Sequence, residues 1–530
     1  MKTLGIYLLE ALERYGITHV FGIPGVHNIE LYRGLPASSV RHVGARHEQG
    51  LGFMADGFAR AGGRPAVCFT ITGPGLTNIA TSMAQAYADS IPMLVIASQN
   101  RRGEVGSGRG FLHEMPNQAA FAAQVSGFSH SLSTVNELPD VLARAFARLT
   151  AGRPRPVYIE IARDLLSADA GALPYPTQTA PLRMGAAPMQ SLHRAAQRLG
   201  AARAPLILAG GGAARAAGAV RQLAERLQAP VIMTINGRGI LPPGHPLAVP
   251  FSPSLAPVRA GIAHADVVLA IGTELGPTDY DMYSLSDFPP PVQLIRIEID
   301  AEQMVRNAVP SVALLGDARE TVDALLTLDL GPPRAKSAVG GALCASAAAS
   351  LSTAVRDQVA FLESLRDALP GVLLVGDSTQ PVYAGNLGFA AAEPATWFNS
   401  SSGFGTLGYA LPAGIGASLA QPQRPVLVLV GDGGLQFTLP ELGVLRDLKR
   451  WVGVVVWNND GYGEIKSSMI EAGVVPTAVD LKPPELRLLA QAYELEYRHV
   501  RDGKTLQGVL TQFATERKPL IIEIDAVSFA

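Results

Sequence analysis

At 530 residues, with 48% apolar residues, 17% charged residues and a net charge of −2, the chain can bury about three separate cores and carries no basic tract for nucleic acid. Two cysteines, Cys68 and Cys344, exclude a disulfide framework or a cysteine-built metal cluster and fit a reducing, cytoplasmic setting. No apolar run is long enough to span a bilayer.

The opening MKTLGIYLLEALERYG sets Glu10 and Glu13 among Leu4, Leu8, Leu12 and Tyr15 at helical spacing, which predicts a first helix and not a signal peptide. A strand is expected at His19–Gly22, a helix after Asn28 and a strand near Val40. Arg46-His47-Glu48-Gln49-Gly50 then leads into a helix over Leu51–Ala61. A strand at Ala66–Ile71, the turn Thr72–Asn78, a helix over Ile79–Ala88 and buried strands at Pro92–Ala97 and Pro156–Ile161 complete a first domain, 1–167. This β-α alternation predicts an open parallel sheet.

Linker composition follows over about Ala168–Met189. A second β-α domain, 190–330, has strands at Pro205–Ala209, Ala229–Thr234, Ala265–Gly272 and Leu294–Asp300. Its Gly210-Gly211-Gly212 lacks the GxGxxG spacing, so a tight turn competes with a dinucleotide contact. A stretch rich in Ala, Ser and Gly, about 331–352, reads as a second linker. The third domain, 355–530, opens with a helix near Val359–Leu369 and the strand Val372–Val375, and ends on the strand Pro519–Ile524. The fold class expected is α/β: three doubly wound parallel-sheet domains.

The third domain holds the most specific motif. The buried run Pro425–Val430 ends at Gly431-Asp432-Gly433-Gly434, where amides without a Cβ can approach an anion. A helix from about Pro440 and a second buried strand, Val452–Trp457, lead to Asn458-Asn459-Asp460-Gly461. In a parallel βαβ unit both loops lie at one sheet edge. Asp432, Asn459 and the Gly461 carbonyl are hard oxygen ligands that suit Mg²⁺ shared with a diphosphate. Alone, Gly-Asp-Gly would be a turn.

The GDG…NN spacing resembles the thiamine diphosphate (ThDP) motif. Three β-α domains with that motif in the third resemble, over nearly the whole chain, the ThDP-dependent acetolactate synthases and 2-oxo acid decarboxylases. The resemblance implies a pyrimidine-binding first domain, a Rossmann-like central domain and a diphosphate-binding third domain. It also implies a homo-oligomer, at least a dimer and commonly a homotetramer, with each active site at the dimer interface. Glu48 is the implied catalytic carboxyl, bonded to the pyrimidine N1′, with His47 and Gln49 in support. Leu407, in Gly405-Thr406-Leu407-Gly408, is the implied wedge that bends the cofactor, while the Gly405 carbonyl and Leu407 amide meet the pyrimidine. Thr379, Gln380, Gly433 and Gly434 are implied contacts to the diphosphate.

The substrate region departs from the synthase pattern. Where synthases read roughly FGYPGG, this chain has Phe21–Asn28, placing Val26 and His27 near the reacting carbon. Phe111-Leu112-His113-Glu114 replaces a Phe-Gln-Glu element, so His113 is either a proton donor or an interface histidine. Glu464 stands where many synthases carry a pocket methionine. It either meets a cationic substrate tail or starts a helix in water.

Pro24–His27, Leu112–Glu114 and Thr273–Asp281 resemble the 5-guanidino-2-oxopentanoate (2-ketoarginine) decarboxylase branch, whose guanidinium tail would suit Glu464. The expected activity is decarboxylation of a basic 2-oxo acid. Acetolactate synthase-like carboligation and an inactive regulatory subunit are the alternatives, and retention of Glu48, Asp432 and Asn459 argues against the last. With no flavin fingerprint, the expected cofactors are ThDP and Mg²⁺ without FAD.

Overall fold

A computed structural model describes residues 1–176, 182–280, 291, 293–526 and 529. Asp281 and residues 177–181 of the first linker lie outside the described residues. Among the described residues the chain forms three six-stranded sheets whose strand pairs are all parallel.

The N-terminal sheet runs, edge to edge, Arg41–Gly44, His19–Gly22, Ala66–Thr70, Met93–Gln99, Val157–Ala162, Phe128–Leu132. The C-terminal sheet repeats that topology with Trp397–Asn399, Leu373–Gly376, Val426–Gly431, Val452–Asn458, Leu520–Asp525, Glu496–Val500. In both, the strand order reverses between the first and third strands, which opens a crevice beyond the strand ends. The central sheet runs Val312–Leu315, Leu294–Glu298, Val267–Ile271, Pro205–Ala209, Val231–Met233, Ala248–Val249.

The inner strands are β-branched runs buried on both faces, such as Val452–Val456. Helices must therefore cover each sheet on both sides. Burying each such side chain contributes roughly 1.5–3 kcal/mol. Several edge strands were not expected from the sequence: Phe128–Leu132, Ala248–Val249, Val312–Leu315, Trp397–Asn399 and Glu496–Val500.

The stretch expected as a second linker instead carries the helix Val339–Ser350. Its Leu343 packs closely on Gly261 of the central-domain helix Ala256–His264, where an added Cβ would lie 2.6 Å from that side chain. In the central domain, a Cβ at Gly210 or Gly212 would run into the Gly272 backbone, so this Gly-rich turn packs tightly against a neighbouring loop.

The N- and C-terminal domains share one apolar core. Its axis is the crossing of helices Glu48–Gly62 and Ala410–Ala420. A Cβ at Gly57 would overlap the Ala413 carbonyl, and one at Gly416 would overlap the Met54 carbonyl. Beside the crossing, Arg60 pairs with Asp56 at 2.6 Å and Asp89 at 2.5 Å, and the Tyr409 hydroxyl donates to Asp56 at 2.5 Å. All four side chains are buried, so each charge has a compensating partner.

Candidate active site

The strand Val426–Gly431 ends in a short helix, Asp432–Leu435, and the neighbouring Val452–Asn458 ends in the turn Asn459-Asp460-Gly461. Asp460 has φ +58° and Gly461 φ +137°; a Cβ at Gly461 would overlap the Val479 carbonyl, so only glycine fits there. Asp432 is buried and accepts from the Gly461 amide at 2.9 Å and the Asn459 amide at 3.3 Å.

The Asn459 side-chain oxygen lies 2.9 Å from the Gly461 carbonyl and 3.1 Å from Asp432 Oδ1. Three acceptors thus face one another. Turning the amide would convert both approaches into hydrogen bonds; a divalent cation would relieve the same repulsion without the turn, since octahedral Mg²⁺ holds adjacent oxygens about 3 Å apart. Burial pushes the Asp432 carboxyl upward against the amides that lower it. Among the described residues no group of three His, Cys, Asp or Glu could hold a metal; the carboxylate, amide and carbonyl of this cluster are hard oxygen donors of the kind that suit Mg²⁺.

Around this cluster, Thr379 is the buried N-cap residue of helix Gln380–Gly388. Gln380 Oε1 accepts from Trp457 Nε1 at 3.2 Å. Gly433 and Gly434 are buried, and a Cβ at Gly433 would lie 2.8 Å from the Tyr462 ring. Leu407 is half-buried and Gly405 exposed. Their turn is tied down by Asp377, which accepts from the Ala410 amide at 3.3 Å and whose burial pushes its carboxyl up to about 6. Asp377 was not singled out from the sequence; its only signal is its place directly after a strand.

At the N-terminal sheet edge, Glu48 begins its helix instead of preceding it, with His47 as N-cap. The Asn78 side chain donates to Glu48 at 3.0 Å from helix Pro74–Ala88. Asn78 had been read only as part of a turn. His27 is buried, with its ring centroid 5.1 Å from that of His113. Burial and His113 lower the His27 pKa, so its neutral form is favoured. His113 has φ +61°, and Glu114 accepts from the amides of Gly108, Gly110 and Phe111 at 2.6, 3.0 and 3.1 Å. That carboxylate fixes the loop on which His113 sits.

Glu464 lies in the first turn of helix Gly463–Glu471 and is solvent-exposed. Its pKa is nevertheless raised, by partial desolvation and by Glu471, and it forms no ion pair among the described residues. Exposed apolar side chains surround these loops, including Val26, Leu112, Phe404, Phe437 and Ile465.

Residues 2–121, 192–325 and 377–524 match, in turn, the N-terminal TPP-binding, central and C-terminal TPP-binding domains of the thiamine pyrophosphate enzymes. The chain belongs to that family, and it is a ThDP-dependent enzyme, thiamine pyrophosphate being ThDP. It is 44% identical over 519 residues, 95% of this chain and 90% of the other, to the probable 2-ketoarginine decarboxylase AruI of Pseudomonas aeruginosa. It is 30% identical to the acetolactate synthase isozyme 1 large subunit of Escherichia coli, over 98% of this chain and 93% of that one. A solved structure from Mycobacterium smegmatis, described as a putative thiamin diphosphate-dependent enzyme, shares the fold at TM-score 0.82 and 22% identity, covering 99% of both chains.

Proposed function

We propose that the enzyme decarboxylates 5-guanidino-2-oxopentanoate without oxidation, giving 4-guanidinobutanal and CO₂, with ThDP and Mg²⁺. When bound, ThDP would supply a nucleophilic carbon for the 2-oxo group and, in its cationic thiazolium ring, a sink for the electron pair that CO₂ leaves behind. Asp432, Asn459 and the Gly461 carbonyl would hold Mg²⁺, and Thr379, Gln380, Gly433 and Gly434 would face the diphosphate. Leu407 would pack against the cofactor's rings. Glu48 holds its proton at pyrimidine N1′, oriented by Asn78. His113 gives a proton at the reacting carbon, with His27 behind it and Val26 at the pocket wall.

The observation that carries the substrate assignment is the place of Glu464: a carboxylate without an ion-pair partner among the described residues, in the first turn of the helix directly beyond the Asn459–Gly461 turn. A guanidinium fork would satisfy both its oxygens. The 44% identity to a probable 2-ketoarginine decarboxylase supports the same tail. Exposed apolar residues on the loops of both outer sheets support a dimer in which the first domain of one chain closes on the third domain of the other.

The test compares kcat/KM for 5-guanidino-2-oxopentanoate and its neutral isostere 5-ureido-2-oxopentanoate. The guanidino acid is expected to be preferred by about 100-fold, the worth of a charge-assisted bidentate pair of roughly 3 kcal/mol. Equal values would remove the cationic tail. The 30% identity to an acetolactate synthase supports carboligation as the second reading.

A further inference from the structure

Glu441 closes the short turn Leu439–Glu441, downstream of the Asp432 loop. Thr438-Leu439-Pro440-Glu441 has the spacing of a capping box, in which the glutamate folds back on its own helix start. Here it does not. Its carboxylate crosses to the N-terminal domain, where Oε1 accepts from the Arg46 amide at 3.1 Å and the His47 amide at 3.0 Å, and Oε2 from the Arg46 amide at 3.2 Å. The side chain is buried, with 1% of the residue exposed.

Those two amides are the last before Glu48. The same turn is held by the Arg46 side chain on Asp447, and Gly50 approaches so closely that a Cβ would overlap the Glu441 carboxylate. Two successive amides pinned by one buried carboxyl group fix the backbone from which the Glu48 side chain starts.

We propose that Glu441 is the positioning residue for Glu48: through the amides of Arg46 and His47, the C-terminal domain of each chain sets the direction of that chain's own catalytic carboxyl. The inference rests on the reading of Glu48 as the group facing the cofactor pyrimidine. Glu441 itself touches neither substrate nor cofactor.

The test is deuterium exchange at C2 of ThDP bound to the whole enzyme, a step that needs no substrate, measured beside ThDP affinity and steady-state kinetics. Glu48→Gln is the control, and wild-type exchange in it would overturn the Glu48 reading and this proposal together. Glu441→Ala is expected to slow exchange and kcat alike by about tenfold or more, as a small misdirection of a catalytic group does. KM and ThDP affinity should change by less than about threefold, since the Asp432 loop is untouched. Glu441→Gln, whose Oε1 can still accept both amides, should recover most of the rate. Gly50→Ala, which crowds the carboxylate out, should copy Glu441→Ala. Should Glu441→Ala not fold, Glu441→Asp, too short to reach both amides, is read the same way. Wild-type exchange in the folded variants, or ThDP affinity falling in step with exchange, would overturn the proposal.

Discussion

The Asp432 carboxylate accepts the Gly461 amide at 2.9 Å across 29 positions of chain. That bond makes two loops into one site, because the carboxylate that faces the Asn459 oxygen also sets the turn presenting the Gly461 carbonyl. Asp432→Ala should therefore remove one proposed metal ligand and loosen a second. Titrating ThDP and Mg²⁺ against tryptophan fluorescence, with Trp457 at the neighbouring strand end, should show affinity weakened by about 100-fold or more. Unchanged affinity would contradict the metal assignment.

Glu464→Gln keeps the shape of the side chain and removes its charge. KM for 5-guanidino-2-oxopentanoate should rise by about 10- to 100-fold, with a much smaller change for an apolar 2-oxo acid. Parallel changes for the two substrates would return Glu464 to the role of a solvent-facing helix-start residue.

The helix crossing has no room for added methyls. Gly57→Ala or Gly416→Ala should each destabilise the protein by roughly 1–3 kcal/mol, and because both act on one crossing the double variant should be non-additive. Scanning calorimetry should show a lower transition temperature for each. A wild-type transition would mean that the helices can separate without cost.

Burial pushes the Glu441 carboxyl up to about 7 from 4.5, against the lowering effect of the Arg46 and His47 amides and the Arg46 charge. The folded state thus binds a proton that the unfolded chain releases, so this group's contribution to stability is present below about pH 4.5 and is lost as pH rises toward about 7. The loss amounts to roughly 3 kcal/mol. Glu441→Gln should flatten the pH dependence of denaturant stability across that window. An identical slope in wild type and variant would contradict it.

The inner strands and the meeting of the Asp432 and Asn459 loops were legible in the sequence for one physical reason. Strands buried on both faces read as unbroken apolar runs, and parallel topology brings the loops after Val426–Gly431 and Val452–Asn458 together wherever they fall in the chain. Edge strands carry no such signal. Phe128–Leu132 is half-polar through Ser129, His130 and Ser131, and Ala248–Val249 has only two residues. The helix Val339–Ser350 looked like a linker because its contacts use Gly and Ala, the residues that also make flexible chain. The hold of Glu441 on Arg46 and His47 spans 395 and 394 positions, and its local sequence spells a different motif, so only the folded chain reveals it.

Identifying the products of purified enzyme with ThDP and Mg²⁺ tests the central claim most directly, with 5-guanidino-2-oxopentanoate and pyruvate offered separately and CO₂ followed alongside mass spectra. The account predicts 4-guanidinobutanal and one equivalent of CO₂ from the guanidino acid, with no acetolactate from pyruvate. Acetolactate from pyruvate, with the guanidino acid inert, would contradict it and place the enzyme among the carboligases.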